Sequence, residues 1–236
     1  MPRTLVAVLG MHRSGTSATA GTIQQYGFEV GSVSEQNRSN PRGNRELRGL
    51  LKLHDRILKR SGGSWWQPPE EVSITEDDCR QRDEVLATIP GERVAVKDPR
   101  MLLVLGLWRE LEPRWIGVIR NPVAVRSSLE RRARERGRPG LDGAGWEALW
   151  RRYNRILLAE LERSPFPVID FDRPDDLDGQ VRAALAFYGL DVVAGRTFFD
   201  PELVRERVDP AWREQVHSPE SVVLWERLAA QAGVPA

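Results

Sequence analysis

The chain has 236 residues, of which 40% are hydrophobic and 29% charged, and its 35 basic and 34 acidic residues leave a formal net charge of +1. A chain of this size and composition fits one globular domain spanning residues 1–236, with a substantial core and no room for a second catalytic unit. Its near-neutral charge gives no global field for nucleic acid or anionic membrane. No apolar run approaches bilayer length, and Met1-Pro2-Arg3 leads into a strand without a signal-like apolar region, so the expectation is a cytoplasmic protein with no membrane span. Cys79 is the only cysteine, which excludes an internal disulfide, and His12, His54 and His217 are too scattered for a zinc site.

In chain order, the five apolar residues Leu5 to Leu9 predict a strand buried on both faces. Gly10 ends it, and the segment from about Gly15 to Tyr26 predicts a helix. Residues Phe28 to Arg45, broken by Pro41 and Gly43, read as a loop. Glu46 to Lys59 has helical spacing of Leu47, Leu50, Leu51, His54, Ile57 and Leu58. The loop Ser61 to Pro69 carries the adjacent Trp65 and Trp66, which cannot both enter a core from one face; at least one is expected to be exposed or to cover a ligand, as a lid over the acceptor site. The alternative is a tryptophan that plugs the base of the preceding helix. After a charged helix, Glu76 to Thr88, come a strand, Arg93 to Lys97, and an apolar helix, Met101 to Leu111. A third strand, Trp115 to Ile119, feeds a helix that starts at Pro122. Its far half is a basic run from Arg126 through Arg131, Arg132, Arg134 and Arg136 to Arg138, read mainly as a solvated face. Helix Trp146 to Arg163, strand Phe166 to Phe171, and helices Asp178 to Tyr188 and Ser221 to Ala230 complete an α/β alternation. That order predicts a three-layer, P-loop-like fold with a central, mostly parallel sheet flanked by helices.

Strand, glycine loop and helix in succession form an anion cradle, because loop N–H groups and a helix N-terminus converge on one point. Gly10-x4-Gly15 has nucleotide P-loop spacing, yet Thr16 stands where that motif needs lysine. Arg13 is the strong cation inside the loop, so the ligand is not expected to be an ordinary nucleoside triphosphate. Lys52, Lys59 and Lys97 are the only lysines in an arginine-rich chain, which singles out Lys97 at a strand's carboxyl end, where parallel sheets gather ligands. Arg120, ending the third strand, and Ser128, in the following helix, can meet one phosphate as a cation and a hydroxyl donor.

Arg13-Ser14-Gly15-Thr16-Ser17 after an apolar strand resembles the phosphosulfate loop of sulfotransferases, which take their sulfuryl group from 3′-phosphoadenosine 5′-phosphosulfate. Lys97-Asp98-Pro99 resembles the matching point of the tyrosylprotein and bacterial branch, and Arg120-x7-Ser128 the 3′-phosphate segment. Asn40-Pro41-Arg42-Gly43-x-x-Glu46 is similar to a segment of bacterial members. The resemblance covers Leu5 to Leu129 by motif and the rest by element order. It implies that Ser14, Gly15, Thr16 and Ser17, with Arg13, hold the 5′ end of the donor, that Arg120 and Ser128 hold its 3′ phosphate, and that no metal takes part. Sulfotransferases often close over the donor with C-terminal basic residues, which makes Arg205 and Arg207 candidates. The acceptor is left open among sugar, lipid, peptide and natural-product hydroxyls or amines, as is the oligomeric state.

Catalytic roles are expected for Arg13 and Lys97 as cations and for Glu46 or Asp98 as general base. Glu46 ranks first: Asp98 precedes Pro99 and is extended, so it points away from the side that Lys97 faces. His54, two turns further along the same helix as Glu46, is the reserve base, although its place among Leu51, Ile57 and Leu58 points to packing. Two rivals remain, a P-loop kinase of a small metabolite and a non-catalytic nucleotide-binding module.

Overall fold

The structure, a computed structural model, describes residues 3–33, 42–137, 140–190, 192 and 198–235. Strands β1 (Thr4–Leu9), β2 (Arg93–Lys97), β3 (Arg114–Ile119) and β4 (Val168–Asp170) form one parallel sheet in the order β2-β1-β3-β4. The helices are α1 (Thr16–Gln25), α2 (Arg48–Arg60), α3 (Glu76–Ala87), α4 (Pro122–Glu135), α5 (Gly143–Arg163), α6 (Leu177–Phe187) and α7 (Pro219–Ala229). The chain leaves β1 to build β2 on one side and then crosses to build β3 on the other. Connections therefore diverge at the carboxyl end of β1, which opens a crevice between the loops after β1 and β3.

Pleating sends alternate residues of each strand to opposite faces. Ala7, Leu9, Val94, Val96, Trp115 and Ile119 join α2, α5 and α7 in one core. Val6, Val8, Ala95, Ile116, Val118 and Ile169 pack with α1 and α6 in the other. This double burial explains why the strands read as continuous apolar runs. It also fixes which way the residues at the strand ends point.

Several boundaries differ from the sequence expectation. Residues 99–111 wind as 3₁₀ turns, Pro99–Leu107 and Arg109–Leu111, broken where Val104 leaves helical geometry. Asp98 accepts from the Arg100 N–H and caps the first of these turns, and nearly every side chain in it is buried, so packing on several sides overrides a regular helix. Helix α2 starts at Arg48, not Glu46: Arg45 has φ 55° and Leu47 is extended, bridging Val33. Glu46 thus lies in the connection before the helix. Asn40, Pro41 and Arg138 fall outside the described residues.

Two glycines set the loop after β1. A Cβ on Gly10 would lie 2.7 Å from the Val118 carbonyl oxygen. Gly15, which caps α1, has φ 92°, and a Cβ there would meet the Phe171 ring at 2.2 Å. Gly15→Ala therefore combines a left-handed alanine with overpacking against a buried aromatic. It should lower the unfolding free energy by about 2 kcal/mol or more, measured by urea titration with an unchanged m-value.

Candidate functional site

Two cavities open at the carboxyl end of the sheet, and Arg13, Thr16 and Ser17 line both. The larger, about 150 Å³, is bounded by this loop, Arg120, Arg131, Phe171 and the segment 198–206. Arg13 has φ 69°, and the Ser14 N–H closes the turn onto the Met11 carbonyl at 3.2 Å. Its side chain is held by the Ser128 hydroxyl, which accepts from Arg13 Nε at 2.9 Å. Arg120, projecting from the end of β3, donates through Nη1 to the Arg13 carbonyl oxygen at 3.0 Å. The structure thus brings Arg13, Arg120 and Ser128 together, with Arg13 between the other two. Arg120 Nε and Ser14 Oγ are buried without a hydrogen-bond partner. Buried donors of this kind fit an oxyanion such as phosphate or sulfonate.

Cationic crowding defines this region. Arg13 is pushed down to about 10, first by burial and then by Arg132, Arg120 and Arg131, with Glu206 opposing. Arg120 is lowered as well, chiefly by burial.

The smaller cavity, about 50 Å³, is lined by His12, Glu46, Trp65, Lys97, Arg100 and Arg132 beside the three shared residues. Lys97 shares the sheet face of Ala95 and donates to Glu46 Oε1 at 2.8 Å. Burial lowers the Lys97 ammonium, and Glu46 works in the opposite direction. Trp65 packs on His12 with ring centroids 4.2 Å apart and stacks on Trp146, and the Tyr153 hydroxyl donates to its carbonyl oxygen. Of the two adjacent tryptophans, Trp65 is the one that walls the cavity.

Asp98 turns to the other face, where α2 packs. Trp108 Nε1 donates to His54 Nε2 at 3.2 Å, which leaves the Nδ1 proton of His54 for Asp98 at 3.0 Å. Arg100 adds its backbone N–H and Nη1 to the same carboxylate. Burial alone would raise the Asp98 carboxyl, but the His54 hydrogen bond and Arg100 hold it far below the usual range. With these partners Asp98 is a brace, and it does not line the cavity that holds Lys97 and Glu46.

Several site residues were not picked out from the sequence. His12, within the loop, walls the smaller cavity. Arg131 and Arg132, read within a solvated run, line the larger and the smaller cavity respectively. Asp172, two residues past β4, sits 3.9 Å from Arg120 Nε and accepts from the Asn121 N–H at 2.7 Å. Its position beyond a strand's carboxyl end was the available signal. Arg205 lines the larger cavity and Arg207 does not. Among the described residues, no group of three or more His, Cys, Asp or Glu could hold a metal, and no helix is long and apolar enough to cross a membrane.

No protein-family model matches the chain, and no curated protein matches it. Among solved structures it is similar to the sulfotransferase domain of the Synechococcus PCC 7002 olefin synthase, with a TM-score of 0.54 and 19% identity, covering 97% of this chain and 95% of that one. It is also similar to the sulfotransferase domain from the curacin biosynthetic pathway, with a TM-score of 0.53 and 13% identity, covering 100% and 99%. At these identities the likeness establishes the fold, a parallel sheet between helical layers as in those domains.

Asp172 gives the site a pH signature. Burial raises its carboxyl to about 7, Asp170 adds to the shift, and Arg120 and the Asn121 N–H oppose it. The unfolded carboxyl titrates near 3.9, so the native state keeps a proton that the unfolded chain loses. This contribution to stability is complete below about pH 4 and is lost as pH rises to about 7. Asp172→Asn should remove that loss. The melting temperature of the variant, relative to wild type, should rise between pH 4 and pH 7 in unliganded protein.

Proposed function

We propose that the protein is a sulfotransferase that moves a sulfuryl group from 3′-phosphoadenosine 5′-phosphosulfate to a hydroxyl or amine acceptor. The observation that carries this reading is the shared wall: Arg13, Thr16 and Ser17 face an arginine-rich cavity on one side and the Lys97–Glu46 pair on the other. A group held on that wall can be attacked from the second cavity while its leaving group stays in the first, the requirement of an in-line transfer. The sulfotransferase domains with the same fold add weight to this choice over other transfers.

In this reading the loop N–H groups, Ser14, Gly15, Thr16 and Ser17 hold the 5′ phosphosulfate, and Arg120 and Ser128 hold the 3′ phosphate. Glu46 accepts the proton of the attacking hydroxyl. The acceptor oxygen forms its bond to sulfur as the bond from sulfur to the 5′-phosphate oxygen breaks. The electron pair leaves with adenosine 3′,5′-bisphosphate. Arg13 and Lys97 oppose the negative charge spread over the transferred group and the bridging oxygen, a preorganised electrostatic contribution in a water-poor site. Lys97 also keeps the Glu46 carboxylate in place before transfer. Neutralisation by these two side chains needs no metal ion.

Binding tests the donor. Calorimetry should show adenosine 3′,5′-bisphosphate binding far more tightly than AMP or ATP, and Arg120→Ala should erase the advantage of the 3′ phosphate by removing a charge-assisted contact of about 1.5–3 kcal/mol. Tighter, Mg²⁺-dependent binding of ATP would favour a kinase and sink the sulfotransferase reading. Turnover tests the chemistry, with an acceptor found by screening against labelled donor. Glu46→Gln should lower kcat about 10²–10⁴-fold at unchanged bisphosphate affinity, and Lys97→Ala should lower it about a hundredfold or more. Asp98→Asn should instead lower the melting temperature through loss of the His54 and Arg100 contacts.

A further inference from the structure

The larger cavity holds a second fork of donors outside the residues just assigned. Arg131 lies one turn beyond Ser128 on α4, so the two project from the same helix face toward the same space. Its Nη1 is tied to Glu135 Oε1 at 3.0 Å, which orients the guanidinium. The remaining edge, Nε and Nη2, meets both carboxylate oxygens of Glu206 at 2.7 and 3.3 Å. This side-on, two-point grip on a planar anion is the geometry that guanidinium groups also use on phosphate. The Glu206 carbonyl oxygen takes a further hydrogen bond from Arg120 Nη2. One residue of the segment 198–206 therefore contacts both arginines on the 3′ side of the cavity.

Charge makes the arrangement more than a surface ion pair. Arg13, Arg42, Arg120, Arg131 and Arg205 line the cavity, and Glu206 is the one carboxylate among its described lining residues. The Glu206 side chain is only 15% exposed. Burial would raise its carboxyl, and Arg131, Arg120 and Arg13 together hold it below the usual range.

We infer that Arg131 is a 3′-phosphate ligand and that Glu206 is a resident stand-in which occupies the same edge of Arg131 until the phosphate displaces it. This rests on the bisphosphate reading above. The displacement separates an ion pair and forms no covalent bond. Its consequence is a competition: a ligand carrying a 3′ phosphate must expel the Glu206 carboxylate, whereas one carrying only a 5′ phosphate leaves it in place.

The test is calorimetric titration of wild type, Glu206→Gln, Arg131→Gln and the double variant with adenosine 3′,5′-bisphosphate and with AMP. Glu206→Gln should tighten bisphosphate binding roughly tenfold, the factor recovered when a binding-competent state about a tenth populated becomes dominant, and should change AMP binding little. Arg131→Gln should weaken bisphosphate binding on the order of tenfold or more. Adding Glu206→Gln to Arg131→Gln should give no further gain, a coupling that a purely structural role for Glu206 would not produce. Bisphosphate binding that is unchanged or weaker in Glu206→Gln, or an equal gain for AMP, overturns the inference and leaves the proposed function standing. Failure of the bisphosphate to bind wild type and Glu206→Gln alike overturns both.

Discussion

Guanidinium and ammonium groups repel one another when water is excluded from between them, and this site concentrates them. Arg13, Arg120, Arg131, Arg132, Arg100 and Lys97 all lie around one glycine loop, and Arg13 is depressed by burial and by three arginine neighbours. Such a cluster holds together only where acceptors are supplied from elsewhere in the chain. The acceptors are distributed by task. Asp98 and Asp55 take Arg100, Glu46 takes Lys97, Glu206 takes Arg131, and the Ser128 hydroxyl and Arg13's own carbonyl oxygen hold Arg13 and Arg120. Two of these contacts, the buried one of Asp98 with Arg100 and the part-buried one of Ser128 with Arg13, lie on residues that hold the strand end and the loop in place. The Glu46 and Glu206 carboxylates line the cavities, where on the proposed reading a substrate competes with them.

The division follows from strand pleating. Lys97 and Asp98 are adjacent, yet the first shares the Ala95 side of the sheet and the second turns to α2, where His54 waits with its tautomer fixed by Trp108. An extended residue before Pro99 cannot turn back toward its neighbour's side. One carboxylate is thereby withdrawn from the cavity, and a different one, Glu46, reaches Lys97 from the connection before α2. That connection is held by Ser17, whose hydroxyl donates to the Asn44 carbonyl oxygen at 3.0 Å. The glycine loop and the proposed base are therefore mechanically linked through two residues.

Much of this was legible in sequence because the strands are buried on both faces, so their ends fall where apolar runs stop. The loop, Lys97 and Arg120 could each be placed at the carboxyl end of a strand, and Ser128 in the second turn of the following helix. Helical spacing could not say which arginines of the Arg126–Arg136 run turn inward, since charged residues line the helix wherever solvent or a carboxylate receives them. Arg131 and Arg132 take their positions at the cavities against Glu206 and Trp65, 75 and 67 positions away in the chain. Residues 99–111 misled for the opposite reason: an apolar segment without a polar face carries no period, and packing chose 3₁₀ turns. Asp172 had a positional signal but no motif.

The same electrostatics governs how the two cavities act on each other. Arg13 belongs to both walls, so an anion on either side changes the field felt on the other, and Ser128 keeps its guanidinium from swinging wholly into one of them. Arg131 and Arg132, consecutive on α4, extend the coupling: one faces the larger cavity and the other the smaller. Shifting α4 to improve one contact necessarily moves the other. Occupation of the larger cavity and the arrangement of the smaller one are consequently not separable in this fold. The rigid elements that enforce this are β3 and α4, joined at Asn121, whose side chain caps the Val123 N–H and whose own N–H is held by Asp172.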